Sequence, residues 1–259
     1  MATVVAAEWW KLRTVRSTYW ILAIPAAFVG LMTLLAVQVV HIWDGMTPER
    51  RAEFGMSSLA DQVIWVAGPC LAVLGVLAVT SEYRSGMIRV SLTAVPQRRT
   101  LLMAKAATIG AVALGTGLTV ALATFFITRA IVGDRPIRGQ SPSMSGELPG
   151  VVVGGASVAV YALLGLALAV LLRSTAGAIV SIAFLWHILP VIVVNVPAPW
   201  DARIGSVMLS GLAAQVTGDT GKGSIYGTLL PPGAALVILL AYAVVPLAAA
   251  AYTLGRRDA

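Results

Sequence analysis

The residues able to do polar chemistry gather in one stretch, Ser81 to Lys105, where Glu82, Arg84, Arg89, Arg98, Arg99 and Lys105 separate two long apolar runs. A bilayer core accepts only backbone whose hydrogen bonds close internally, so this charged, glycine- and proline-punctuated stretch is expected in water, within reach of another protein. Little else in the chain promises chemistry. The two histidines, His41 and His187, stand far apart and belong to no metal-binding or nucleophile-and-base pattern, which argues against a membrane enzyme. The run from Gly218 to Ser224 lacks the spacing of a phosphate loop, because Gly223 follows Lys222, and reads as a glycine turn. No cofactor is expected on this chain. Cys70, the lone cysteine, lies in an apolar run as a small packing residue and excludes an intrachain disulfide.

The elements that carry these residues follow from composition. Of 259 residues 58% are hydrophobic and 11% charged, and the mean hydropathy is +0.88; an ordinary soluble domain has roughly 25% charged residues. The expectation is an all-α polytopic membrane protein, one permease domain over residues 1–259, with six spans near 19–40, 61–80, 105–132, 149–172, 176–196 and 232–254. The first run is too long for a cleavable signal and is expected to stay. The apolar piece Ile204 to Val216 is too short to cross and reads as a re-entrant or interfacial segment between spans five and six. Gly150 and Gly154 form a G-x-x-x-G pair suited to close helix approach, within the chain or in a dimer.

Residues Val5 to Tyr19 read as an amphipathic helix lying in the membrane interface, with Val5, Trp9, Leu12, Val15 and Tyr19 on one face and Lys11, Arg13, Thr14 and Ser17 opposite. Glu8 and Arg16 intrude on its apolar face, and Arg16 can snorkel to headgroups. Acids and bases avoid the middle of every span, which disfavours an ion-coupled transporter. Polarity at depth is left to Gln38, His187 and Asn195, the candidate lining of a substrate path, with hydrogen bonding to a neighbouring helix as the plainer role for His187.

Six spans put both termini on one side. That side carries eleven bases and three acids, or +8, against seven bases and eight acids, or −1, on the other; the two sum to the net charge of +7. Anionic inner-leaflet lipid attracts each nearby base by about 1 kcal/mol, so the termini and the Ser81 to Lys105 stretch are expected in the cytoplasm. Basic residues distributed in this way fit a membrane surface and give no reason to expect a nucleic-acid partner.

Within the charged stretch Met87, Ile88, Leu92 and Val95 can form the apolar face of a short helix, and Pro96 fits the first turn of the next one. Glu82-Tyr83-Arg84-x-Gly86-x-Ile88-Arg89-x-x-Leu92, followed by Pro96-x-Arg98 and Lys105, resembles the first cytoplasmic loop of bacterial type-2 ATP-binding-cassette (ABC) exporter permeases. Glu8-Trp9-Trp10-Lys11-Leu12-Arg13-Thr14, just before the first span, resembles their entry helix. Met87 departs from the threonine usual after the glycine. The resemblance implies a transport subunit in the bacterial cytoplasmic membrane that pairs with a second permease copy or paralogue, contacts lipid, and is driven by separate cytoplasmic ATPase subunits holding ATP and Mg. It also implies a coupling helix near Gly86 to Val95. Spans that lack charge suit an apolar or amphipathic cargo such as a drug, lipid or peptide. A scaffold or sensor that recruits a partner through the same stretch without transport is the alternative.

Overall fold

A computed structural model describes residues 2–87, 97–139, 143–218 and 230–256, without the side chains of Arg84, Ser85 and Arg256. Among the described residues every long apolar run is helical, and the sole strand-like pairing is an isolated bridge between Gly55 and Arg138. Helix α1 spans Ala2–Thr14 and the first span, α2, spans Arg16–Asp44. A short α3, Pro48–Glu53, lies in the following connection. Spans two, three and four are α4 (Leu59–Ser85), α5 (Arg98–Val132) and α6 (Met144–Leu172). Span five begins as α7 (Thr175–Ala183), passes through a π-helical turn at Phe184–Ile188 and ends as α8 (Leu189–Val194). Two short helices, α9 (Trp200–Ser206) and α10 (Leu209–Val216), precede the sixth span, α11 (Pro232–Arg256). Six of these helical segments are long and apolar enough to cross a membrane.

Local chemistry sets the boundaries. The side chains of Ser58, Ser143 and Ser174 each accept a hydrogen bond from the backbone N–H three residues on, at 3.3, 3.1 and 3.1 Å, and so start α4, α6 and α7. Gly86 stops α4 at φ +71°, a left-handed conformation that costs glycine nothing. Several boundaries differ from those expected of apolar runs alone. Span two continues to Ser85 and span three starts at Arg98, so helix replaces much of the stretch expected as a water-exposed loop. The entry helix stops at Thr14 because Val15 turns extended, and Arg16 and Tyr19 belong to the first span.

The centre is built on close backbone approach. Span four packs against spans two, three and six, and its apolar window is 67% buried, with 61% for span two against 17% for span one and 22% for spans five and six. A Cβ placed on Gly75 would run into the Ala162 carbonyl, one on Gly165 into that of Ala72, and one on Gly117 into that of Gly155. Only glycine allows these helices so near each other, the usual device where lipid rather than water surrounds the bundle. Gly154 serves the same packing, its Cβ position lying 2.8 Å from Ile64, whereas that of Gly150 meets only the Thr217 hydroxyl, at 4.0 Å.

Candidate functional site

Four charged side chains from three separate helices meet at the end of the bundle where α1 joins it. Helix α1 supplies Glu8 and Lys11, one turn apart; the last turn of α4 supplies Glu82; the second turn of α5 supplies Lys105. Lys105 Nζ donates to Glu8 Oε2 at 2.7 Å, to Glu82 Oε1 at 2.7 Å and to the Ala78 carbonyl at 3.3 Å, which uses all three of its N–H groups. Lys11 Nζ donates to Glu8 Oε1 at 2.7 Å and to Glu82 Oε1 at 2.8 Å. The side chains of Lys105, Glu82 and Glu8 are only 4%, 6% and 7% exposed, while that of Lys11 is 30% exposed.

Among the described side chains the network is neutral, with two acids and two bases, so each buried charge has an opposite partner. Such a group adds little net stability, because desolvation offsets attraction, but deleting one member strands its partners in a medium that cannot solvate them. Its effect is to fix which helices meet and in what register. Burial works against the charge of Lys11, yet the contacts with Glu8 and Glu82 outweigh it and hold its pKa above the usual 10.5.

Beside the network lies a cavity of about 550 Å³ between α1, the start of α2, α4 and α5. The four charges, with Thr18, Ser81 and Thr108, contribute to its polar part, and Leu12, Leu74, Leu77 and Ile109 are among its apolar walls. Two further contacts tie the same end together. The Arg173 guanidinium stands 5.8 Å over the Tyr83 ring, and Arg98 donates to the Leu254 carbonyl at 3.1 Å, joining spans three and six.

The residues expected to meet a partner are thereby sorted. Glu82, expected on a solvated loop, is buried within α4, and Lys105 is buried within α5; this corrects the reading of both as water-facing. Tyr83 is half-buried, and Gly86 is the helix stop. The side chain of Arg84, and Ile88, Arg89 and Leu92 with most of the expected coupling helix, lie outside the described residues. On α1, Trp9 and Arg13 point away from the bundle, with Arg13 5.5 Å from the Trp10 ring; Leu12 packs on the core, and Arg16 is exposed. Glu8 proves to be the residue of α1 most deeply engaged with the spans. Its place on the apolar face of the helical wheel was the signal that it needed a buried base.

The candidate path residues do not converge. Gln38 is exposed on span one, which packs on spans two and three, and Asn195 is exposed at the end of α8, its amide donating to the Val191 carbonyl at 2.8 Å. His187 sits in the π-helical turn with its ring 5.1 Å from that of Trp65. In the expected re-entrant segment, α9 and α10 are joined by Gln215, which donates to the Ser206 carbonyl at 2.7 Å and accepts from the Leu230 N–H at 3.3 Å. Residues 219–229 of that segment lie outside the description.

The family model described as ABC-2 family transporter protein matches residues 4–194. This match takes in α1, spans one to four, the π-helical turn and the charge network. No curated protein matches the chain.

Proposed function

The chain belongs to the ABC-2 family of transporter proteins, a membrane component that works with ABC ATPases, and on that premise we propose that it is the permease subunit of an exporter whose coupling joint is the Glu8–Lys11–Glu82–Lys105 network. A cytoplasmic ATPase engages the segment after Gly86. Movement of that segment pulls directly on the last turn of α4 and the first turns of α5, because both flank it in the chain. Through Glu82 and Lys105 the same movement reaches α1. ATP binding in a partner shifts the permease only if the partner contacts its two states with different free energy, and a network whose ion pairs are either made or broken supplies two such states.

In this reading the termini and the network face the cytoplasm, α1 lies at the membrane interface with Trp9 and Trp10 toward lipid, and cargo that is apolar or amphipathic leaves the cell. A second permease copy and lipid cover the bare outer faces of spans one, five and six, where Trp20, Val180, Val191 and Val237 are exposed. ATP and Mg are held by the ATPase.

The observation that carries the proposal is the burial of the network across three chain segments. Its test is co-reconstitution with a partner ABC ATPase, comparing wild type with Glu8→Gln. The expected result is ATP-dependent export in wild type, and in the variant ATP hydrolysis that continues while export falls at least tenfold. Equal export would remove the network from coupling. Export by neither protein, with the ATPase bound, would favour the scaffold.

A further inference from the structure

The cavity of about 550 Å³ beside the network has a further wall that the ion pairs do not form. It is the joint between α1 and α2, where Val15, Ser17 and Thr18 line the space. The volume falls in the range of small-molecule sites.

Three features of this joint set what can bind. The first turn of α2 has no side-chain cap, because the N-cap residue is Val15, whose side chain carries no acceptor. A 29-residue helix thus turns the positive end of its dipole toward the cavity. Thr18, in the same turn, is only 6% exposed, and its hydroxyl makes no hydrogen bond among the described residues. That hydroxyl is not one of the buried polar atoms closed to solvent, so it opens into the space that Thr18 lines. A buried hydroxyl without a partner is costly, and native proteins rarely leave one without cause. Across from the joint the wall is apolar, with Leu74, Leu77 and Ile109. Trp9, Trp10, Tyr19 and Trp20, on either side of Val15 in the chain, are all exposed, and exposed rings of this kind mark the depth of the lipid headgroups in a membrane protein.

We infer that this cavity binds a membrane glycerophospholipid, with the phosphate at the first turn of α2 and one acyl chain along Leu74, Leu77 and Ile109. The phosphate oxygens accept from the Thr18 hydroxyl and from the uncapped N–H groups, and Ser17 offers a second hydroxyl on the same lining. Glu8 and Glu82 also line the cavity, but Lys11 and Lys105 match their charge. Free phosphate would leave the apolar wall unfilled, and a plain hydrocarbon would leave the donors unmet; a phospholipid answers both. Seated there, the lipid touches each of the four helices that border the cavity. Binding needs neither an ATPase nor export and so stands apart from the permease reading.

The test is native mass spectrometry of the full chain, delipidated in detergent and titrated with palmitoyl-oleoyl-phosphatidylglycerol. Two comparison probes divide the ligand: palmitoyl-oleoyl-glycerol keeps the chains without the phosphate, and glycerol 3-phosphate keeps the phosphate without the chains. One phosphatidylglycerol should bind ahead of all others, at least about tenfold more tightly than either comparison probe. Thr18→Val removes the hydroxyl at nearly constant shape and should weaken that first site about tenfold. The lipid-free melting temperature of the variant should stay level or rise, since the hydroxyl has no partner in the fold to lose; a hydroxyl that served the fold alone would lower the melting temperature and leave lipid affinity unchanged. Leu77→Trp fills the apolar wall and should remove the first site. Equal affinity for either comparison probe, a first site indifferent to either substitution, or no saturable first site overturns the inference.

Discussion

Span four is held to spans two and three in one way, and α1 is held to spans two and three in another. In mid-bundle the seam is backbone against backbone, at Gly75 with Ala162, Gly165 with Ala72 and Gly117 with Gly155. At the α1 end the contact is four charges, no two of them from adjacent residues. The seam depends on shape alone, and interlocked surfaces of this kind have one good arrangement. Charges can exchange partners or take up water, so the network can occupy a second arrangement that the seam cannot. The difference teaches that, if the α1 end moves as proposed, the glycine seam is the fixed centre it moves against.

Deleting one base should produce the largest effect. Lys105→Met leaves Glu8 and Glu82 facing each other at 7% and 6% exposure and should destabilise the bundle by about 3–5 kcal/mol, read as a lower melting temperature in detergent. The sharper form of the test replaces the whole network, with Glu8→Leu, Lys11→Leu, Glu82→Leu and Lys105→Met together. Stability should return close to wild type, because apolar packing replaces a buried ion group at little cost, while coupled export should not return. Recovery of both would make the network a staple, and the contrast with the glycine seam would fail.

The seam comes next. Gly165→Val puts a branched side chain where a single Cβ already collides with the Ala72 backbone, which cannot turn aside as a side chain would. A loss of about 3 kcal/mol is expected, at the upper end of overpacking costs. Because the seam has no second arrangement, the folded fraction that survives should couple ATP hydrolysis to export normally. A folded but uncoupled Gly165→Val protein would place the moving joint in mid-bundle instead.

Gly86 separates the two behaviours along the chain. It ends α4 four residues beyond Glu82 with φ +71° and open space around its Cβ position. Gly86→Ala therefore meets no clash, and its cost is backbone strain alone, about 1 kcal/mol. A melting shift much larger than this would mean that the helix stop bears on the network.

The fold was largely legible because its signal is composition: runs of apolar residues long enough to cross, punctuated by glycine, proline and charge. The six spans needed nothing more. Boundaries were less legible, since a serine cap or a left-handed glycine is one residue in a long helix, and α4 and α5 run on past the last strongly apolar residue. Glu82 and Lys105 looked solvated because charge in a sequence is read against water, whereas each is neutralised by partners 23 to 97 residues away along the chain that no local pattern announces. Glu8 alone carried a local clue, an acid on an apolar helix face. The π-helical turn left no trace in periodicity, because one inserted residue over a single turn shifts the wheel too little to see.

The smallest predicted effect tests whether Lys11 belongs wholly to the network. Burial disfavours its charge, and the contacts with Glu8 and Glu82 outweigh burial, so its pKa in the folded chain lies above 10.5. A base whose folded pKa is raised contributes stability that is complete below its unfolded value and is lost as the pH climbs through the folded one. Since Lys11 is 30% exposed, solvent screens the contribution to below about 1 kcal/mol. The melting difference between wild type and Lys11→Met should therefore stay constant below pH 10.5 and shrink above it. A difference that instead changed below that pH would mean that it follows more than the charge of Lys11, and its pairing with Glu8 and Glu82 would then not account for it.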